Sequence, residues 1–168
     1  MQPNIFKASM INGIIMGVIF SVNFLFSVSK ITFLITLTNL LAVLIVVLIY
    51  RLSVKFRDTE CEGFITYGKA LLYILYSFFF AALISSVVKY IYFQYINPPY
   101  LESVFQETMK MLTSMKYPIT DAVETQTRNM LKPASYTLIY IWVNVFMGLI
   151  VGLIMAAFVK KEKSIFKE

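Results

Sequence analysis

An all-α membrane fold, a bundle of four transmembrane helices with a helical outer loop, is predicted by three observations. Four apolar runs, at about residues 8–27, 32–50, 70–90 and 135–159, have the length of roughly 20 residues needed to cross a bilayer. None of the four contains Asp or Glu. Hydrophobic residues make up 59% of the chain and the mean hydropathy is +0.75, well above a soluble domain. The 168 residues are read as one transmembrane domain, because no segment outside the spans reaches the ~50 residues of an independent soluble domain.

The first run begins after Lys7 and ends near Ser27-Val28-Ser29, the outline of a cleavable signal. Its length is that of a span and a second span follows at once, so it is expected to be a retained helix. The link Val28-Ser29-Lys30-Ile31 allows only a tight turn, which makes the first two helices antiparallel neighbours. Arg51–Lys69 is a polar stretch with Arg51, Lys55, Arg57 and Lys69 among Asp58, Glu60 and Glu62. The third span runs to about Tyr92, and an outer loop occupies about residues 93–132.

That loop carries helical signals. Asn97-Pro98-Pro99 reads as a helix start with Asn as the cap and proline in the first turn. Leu101, Val104, Phe105, Thr108, Leu112 and Met115 then recur on one face until Pro118. Asp121 and Glu124 have capping-box spacing, Glu124 and Arg128 are four apart, and Val123, Thr127, Met130 and Leu131 share a face. Two short amphipathic helices are expected, either lying on the membrane or packing on the bundle ends.

Charge sets an orientation. With both termini inside, nine of the fifteen basic residues are cytoplasmic: Lys7, Arg51, Lys55, Arg57, Lys69, Lys160, Lys161, Lys163 and Lys167. Lys30, Lys89, Lys110, Lys116, Arg128 and Lys132 are outside, and the positive-inside rule favours this arrangement. The net charge of +6 is accounted for by these membrane flanks, so nucleic acid is not an expected partner. Tyr90, Tyr92, Phe93, Tyr95 and Tyr100, with Tyr136, Tyr140 and Trp142, form the aromatic belt expected where helices leave the bilayer.

Composition also removes whole classes of chemistry. There is no histidine for a metal site or a general base. Cys61 is the only cysteine, which excludes an internal disulfide, a zinc cluster and a CxxC pair. No phosphate-binding loop, HExxH, GxSxG or EF-hand pattern occurs, so no catalytic, cofactor or metal residue is expected.

Three groups of residues stand out. Gly13, Gly17 and Ser21 in the first span, and Gly148, Gly152 and Ala156 in the last, are small-residue stripes that let helix backbones approach closely. The two stripes are expected to meet each other within one chain, with a homodimer seam as the alternative. Asn23, Asn39 and Asn144, with Ser85, Ser86 and Lys89, fall at similar depth in the outer half. Amides in hydrocarbon need partners, so this cluster is expected to be interhelical glue or a polar cavity in which Lys89 attracts an anionic headgroup. Lys89 near a helix end can also snorkel to the interface. Lys55 and Arg57 are placed to contact lipid phosphates at the inner surface.

The segment Phe56-Arg57-Asp58-Thr59-Glu60-Cys61-Glu62-Gly63-Phe64-Ile65-Thr66-Tyr67-Gly68-Lys69-Ala70 resembles the hallmark of the bacterial membrane family DUF4199, a domain of unknown function. Tyr92-Phe93-Gln94-Tyr95-Ile96-Asn97-Pro98-Pro99-Tyr100-Leu101-Glu102 is also similar, with Asn97-Pro98-Pro99 where the family often has Asp-Pro-Asp/Glu. The glycine-rich last span and the lysine tail match as well. The resemblance implies a four-helix protein of the bacterial inner membrane, no established activity, and a cell-envelope context shared with glycosyltransferases. The expected function is a non-enzymatic accessory or scaffold of the cell envelope. A small lipid- or solute-binding, transporter-like protein using the outer polar cluster is the alternative. Membrane lipids are the expected partners, with a membrane protein as a further one.

Overall fold

A computed structural model describes residues 4–162. Lys163 and Lys167, used in the charge count above, lie outside the described residues. The described residues are mostly helical: α1 (Ile5–Ser27), α2 (Thr32–Glu60), α3 (Tyr67–Ile91), α4 (Pro99–Ser114), α5 (Asp121–Met130) and α6 (Pro133–Val159). α1, α2, α6 and the stretch Tyr67–Ile96, which is α3 with a π-helical turn at Tyr92–Ile96, are long and apolar enough to cross a membrane. No strand occurs among the described residues; Ile65 and Lys161 form one isolated antiparallel bridge.

Local chemistry sets the ends. The Asn4 side chain caps α1 by accepting from the Lys7 amide at 3.0 Å. Lys30, at φ +58°, makes the left-handed turn between α1 and α2. α2 continues ten residues beyond the expected apolar run, to Glu60, because Arg51–Glu60 contains no helix breaker. Glu62 (φ +54°) and Gly63 (φ +81°) then stop it, and the Gly63 amide folds back onto the Arg57 carbonyl at 3.0 Å. With α3 beginning at Tyr67, about two thirds of the expected polar stretch Arg51–Lys69 is helix.

Both loop helices exist, with their starts shifted by one residue from expectation. Pro98 occupies the cap position of α4 and Pro99 the first turn, while the Asn97 amide donates to the Tyr92 hydroxyl at 3.1 Å. Thr120 caps α5 by accepting from the Val123 amide, so Asp121 is the first helical residue and no capping box forms with Glu124.

The helices divide into two compact units, Met1–Ser85 with Val143–Glu168, and Ser86–Trp142. The first unit is built around a core of Met16, Phe20, Ile49, Phe56, Tyr73, Ile74, Phe78, Ala81, Ala156 and Val159. α3 supplies much of that core: 44% of its span window is buried, against 6% for α2 and 11% for α6. In lipid, an exposed apolar surface is the normal outer face of a span.

In the second unit α4 turns Leu101 and Phe105 inward, whereas Met115 is exposed. Arg128 fastens α5 to α4: its guanidinium meets Glu102 at 3.1 Å and Glu124 at 3.3 Å and lies 3.9 Å from the Phe105 ring centre. Phe93 stacks on Tyr100 and meets Tyr136 edge-on.

Candidate functional site

The small-residue stripes pack closely, but against a different helix from the one expected. A methyl group at Gly13 would stand 2.5 Å from Phe80 Cβ, and one at Gly17 would stand 2.6 Å from Ile84 Cβ. On the other stripe, a methyl at Gly148 would stand 2.5 Å from Phe78 Cβ, and one at Gly152 would stand 2.9 Å from Leu71 Cδ1. All four neighbours belong to α3. The two stripes therefore flank α3 and do not meet each other, because the bulky phenylalanines and leucines of α3 need glycines opposite them. Ser21 donates to the Gly17 carbonyl at 2.8 Å, and Ala156 is fully buried.

The most connected polar group of the first unit is Tyr73, which no sequence argument above singled out. Its hydroxyl accepts from the Asn12 amide at 2.7 Å and donates to the Leu52 carbonyl at 3.4 Å. Its backbone carbonyl accepts from Ser9 at 3.1 Å and from Ser77 at 2.8 Å. Its ring stacks on Phe56, with centroids 4.4 Å apart. Tyr73, itself 1% exposed, thus ties α1, α2 and α3 together. The sequence carried a signal for it: Ser9 and Asn12 are three apart, Tyr73 and Ser77 four apart, so each pair presents one polar face.

The expected outer cluster is distributed differently. Asn23 donates to the Thr38 carbonyl of α2 at 3.1 Å, and Ser85 to the Ala82 carbonyl of its own helix at 3.2 Å. Asn39 is exposed on α2, and Asn144 is half-buried on α6. Ser86 is buried. Lys89 is only 2% exposed and does not snorkel; its ammonium sits 3.5 Å from the centre of the Tyr140 ring, a cation–π contact strengthened by desolvation.

At the opposite end of α2, Arg57 turns inward. It holds Asp58 through Nε at 2.8 Å and Nη2 at 3.3 Å, and its Nη1 donates to the Val159 carbonyl at 3.1 Å. That last bond satisfies a carbonyl left open at the end of α6. Lys55 is exposed. The Ile65–Lys161 bridge and a hydrogen bond from Tyr67 to the Leu153 carbonyl at 2.9 Å fasten the same region. The half-buried Cys61 thiol lies just beyond α2; burial raises its pKa, with Glu60 adding to the shift and Lys69 opposing it.

Within the second unit, α5 and the start of α6 border an open groove of about 840 Å³. Its walls differ: α5 contributes Asp121, Thr125, Gln126 and Asn129 beside Ala122 and Met130, and α6 contributes Leu138, Ile139 and Trp142 beside Ser135. Among the described residues no group of three or more Cys, Asp or Glu side chains is gathered in a way that could hold a metal ion.

These features define a multi-pass membrane protein whose spans are fastened by side chain-to-backbone hydrogen bonds. The chain belongs to the family described as protein of unknown function (DUF4199), which it matches over residues 11–161. No curated protein and no solved structure matches it.

Proposed function

We propose that this protein is a non-enzymatic accessory of the bacterial cell envelope, integral to the cytoplasmic membrane with both termini inside. In this reading it acts as a scaffold for a membrane protein complex. The observation that carries this reading is how the polar side chains of the spans are used. Ser9, Asn23, Arg57, Tyr67 and Tyr73 bond backbone carbonyls of other helices and so hold helices together, while Ser77 and Ser85 bond carbonyls of their own helix. A reaction centre needs such groups aimed at a shared space where a substrate can lie. The Arg128 tie gives α4 and α5 a fixed relation, which suits an outer surface that a partner recognises.

Purification in mild detergent with quantification of associated proteins tests this. A defined, stoichiometric membrane partner that is lost on Arg128→Ala is the expected result. A monodisperse preparation of the chain alone that turns over a lipid-linked substrate would overturn it. The alternative, a lipid- or solute-binding protein using Asn23, Asn39, Ser85, Ser86, Lys89 and Asn144, is weakened by the backbone bonds of Asn23 and Ser85 and by the burial of Lys89.

A further inference from the structure

We propose that the groove between α5 and α6 is a binding site for one membrane lipid, an amine-headed phospholipid of the phosphatidylethanolamine type. The division of the groove carries the inference. α5 presents Asp121, Thr125, Gln126 and Asn129 at spacings of four, one and three residues, which put them on a single helical face. Arg128, on the flank of that face, ties α5 to α4. α6 presents Leu138, Ile139 and Trp142 at spacings of one and three, and these are 60%, 42% and 72% exposed. α6 is a candidate span from Pro133 onward, so its apolar wall lies where acyl chains run and the α5–α6 turn lies at the water boundary.

A wedge with one mainly polar and one mainly apolar wall matches a molecule with a polar head and apolar tails. Its volume of about 840 Å³ suits part of one lipid rather than a whole helix. Charge selects the head. The lining holds one carboxylate, Asp121, and no lysine or arginine. A net-anionic head would meet Asp121 with no cation to compensate, whereas an ammonium head pairs with it. The amides of Gln126 and Asn129 and the Thr125 hydroxyl are neutral donors for the phosphodiester oxygens beside that ammonium.

Trp142 is the chain's only tryptophan and lines the groove, so its fluorescence reports on the occupant. The full chain is reconstituted in phosphatidylglycerol vesicles containing equal fractions of either brominated phosphatidylethanolamine or brominated phosphatidylglycerol. Selective quenching by the ethanolamine lipid, corresponding to a preference of about threefold for one exposed ion pair, is expected. Asp121→Asn should reduce that preference while leaving quenching by the two lipids together intact, whereas Gln126→Ala, which removes a donor to the phosphodiester that both lipids carry, should weaken quenching by both alike. Equal quenching of the wild type by both lipids would overturn the proposal. So would a preference that Asp121→Asn leaves unchanged. Weak quenching by either lipid would mean that protein, a second copy or a partner, fills the groove, and would also overturn it.

Discussion

Replacing Tyr73 with phenylalanine removes one oxygen and the two hydrogen bonds it makes to Asn12 and Leu52. The ring can stay stacked on Phe56, so packing is conserved and only the polar link is lost. Tyr73→Phe is expected to lower stability in detergent by about 0.5–2 kcal/mol, the range for interhelical bonds in lipid and buried bonds in water. Asn12→Leu combined with Tyr73→Phe should cost less than the sum of the two single changes, since both delete one bond. Thermal melts of the four proteins check this. Cys61 offers a second residue-level test. Burial lifts its thiol pKa, so the reactive thiolate is scarcer at a given pH than in an exposed cysteine. Its maleimide labelling in detergent should be slower than that of an unfolded control, and should gain on the control as pH rises.

At the level of elements, α3 is flanked by glycines of α1 and α6, which stand where α3 is bulky. Gly148→Ala would drive a methyl group into Phe78 and is expected to destabilise by about 1–3 kcal/mol. Gly68→Ala, where nothing stands within 4 Å, should be neutral or stabilising by about 0.5–1 kcal/mol. Cysteines at positions 17 and 84 of a Cys61→Ser background should crosslink within one chain, whereas cysteines at 17 and 152 should not. The sequence made the stripes legible because spacing alone reveals a small face. It left their partner open, because three other spans were available and spacing does not say which one presents a bulky face. The spans, both loop helices and the Glu124–Arg128 pair were readable from period and capping residues. The one-residue shifts at Pro98 and Thr120 were not, since neighbouring residues there offer equivalent caps. The helical run Arg51–Glu60 was missed because its charges read as a loop, although charged residues are good helix formers. Tyr73 was missed because an isolated tyrosine in an apolar run carries no mark of its partners, and only the faces of Ser9 with Asn12 and of Tyr73 with Ser77 hinted at it.

For the molecule as a whole, four crossings fix which side of the membrane each connection faces. Proposals about a scaffold surface on α4 and α5, and about a lipid beside α5, place the Asp121–Met130 helix outside and the turn at Cys61 inside. Asn129 is exposed on α5, and Cys61 follows α2. The most direct measurement is paired cysteine accessibility in spheroplasts, using a membrane-impermeant maleimide before and after permeabilisation. Wild-type Cys61 is compared with Asn129→Cys in a Cys61→Ser background. Position 129 is expected to be labelled in intact spheroplasts and Cys61 only after permeabilisation. Labelling of Cys61 but not of position 129 in intact spheroplasts would reverse the topology, and labelling of both from the same side would contradict the four-span arrangement itself.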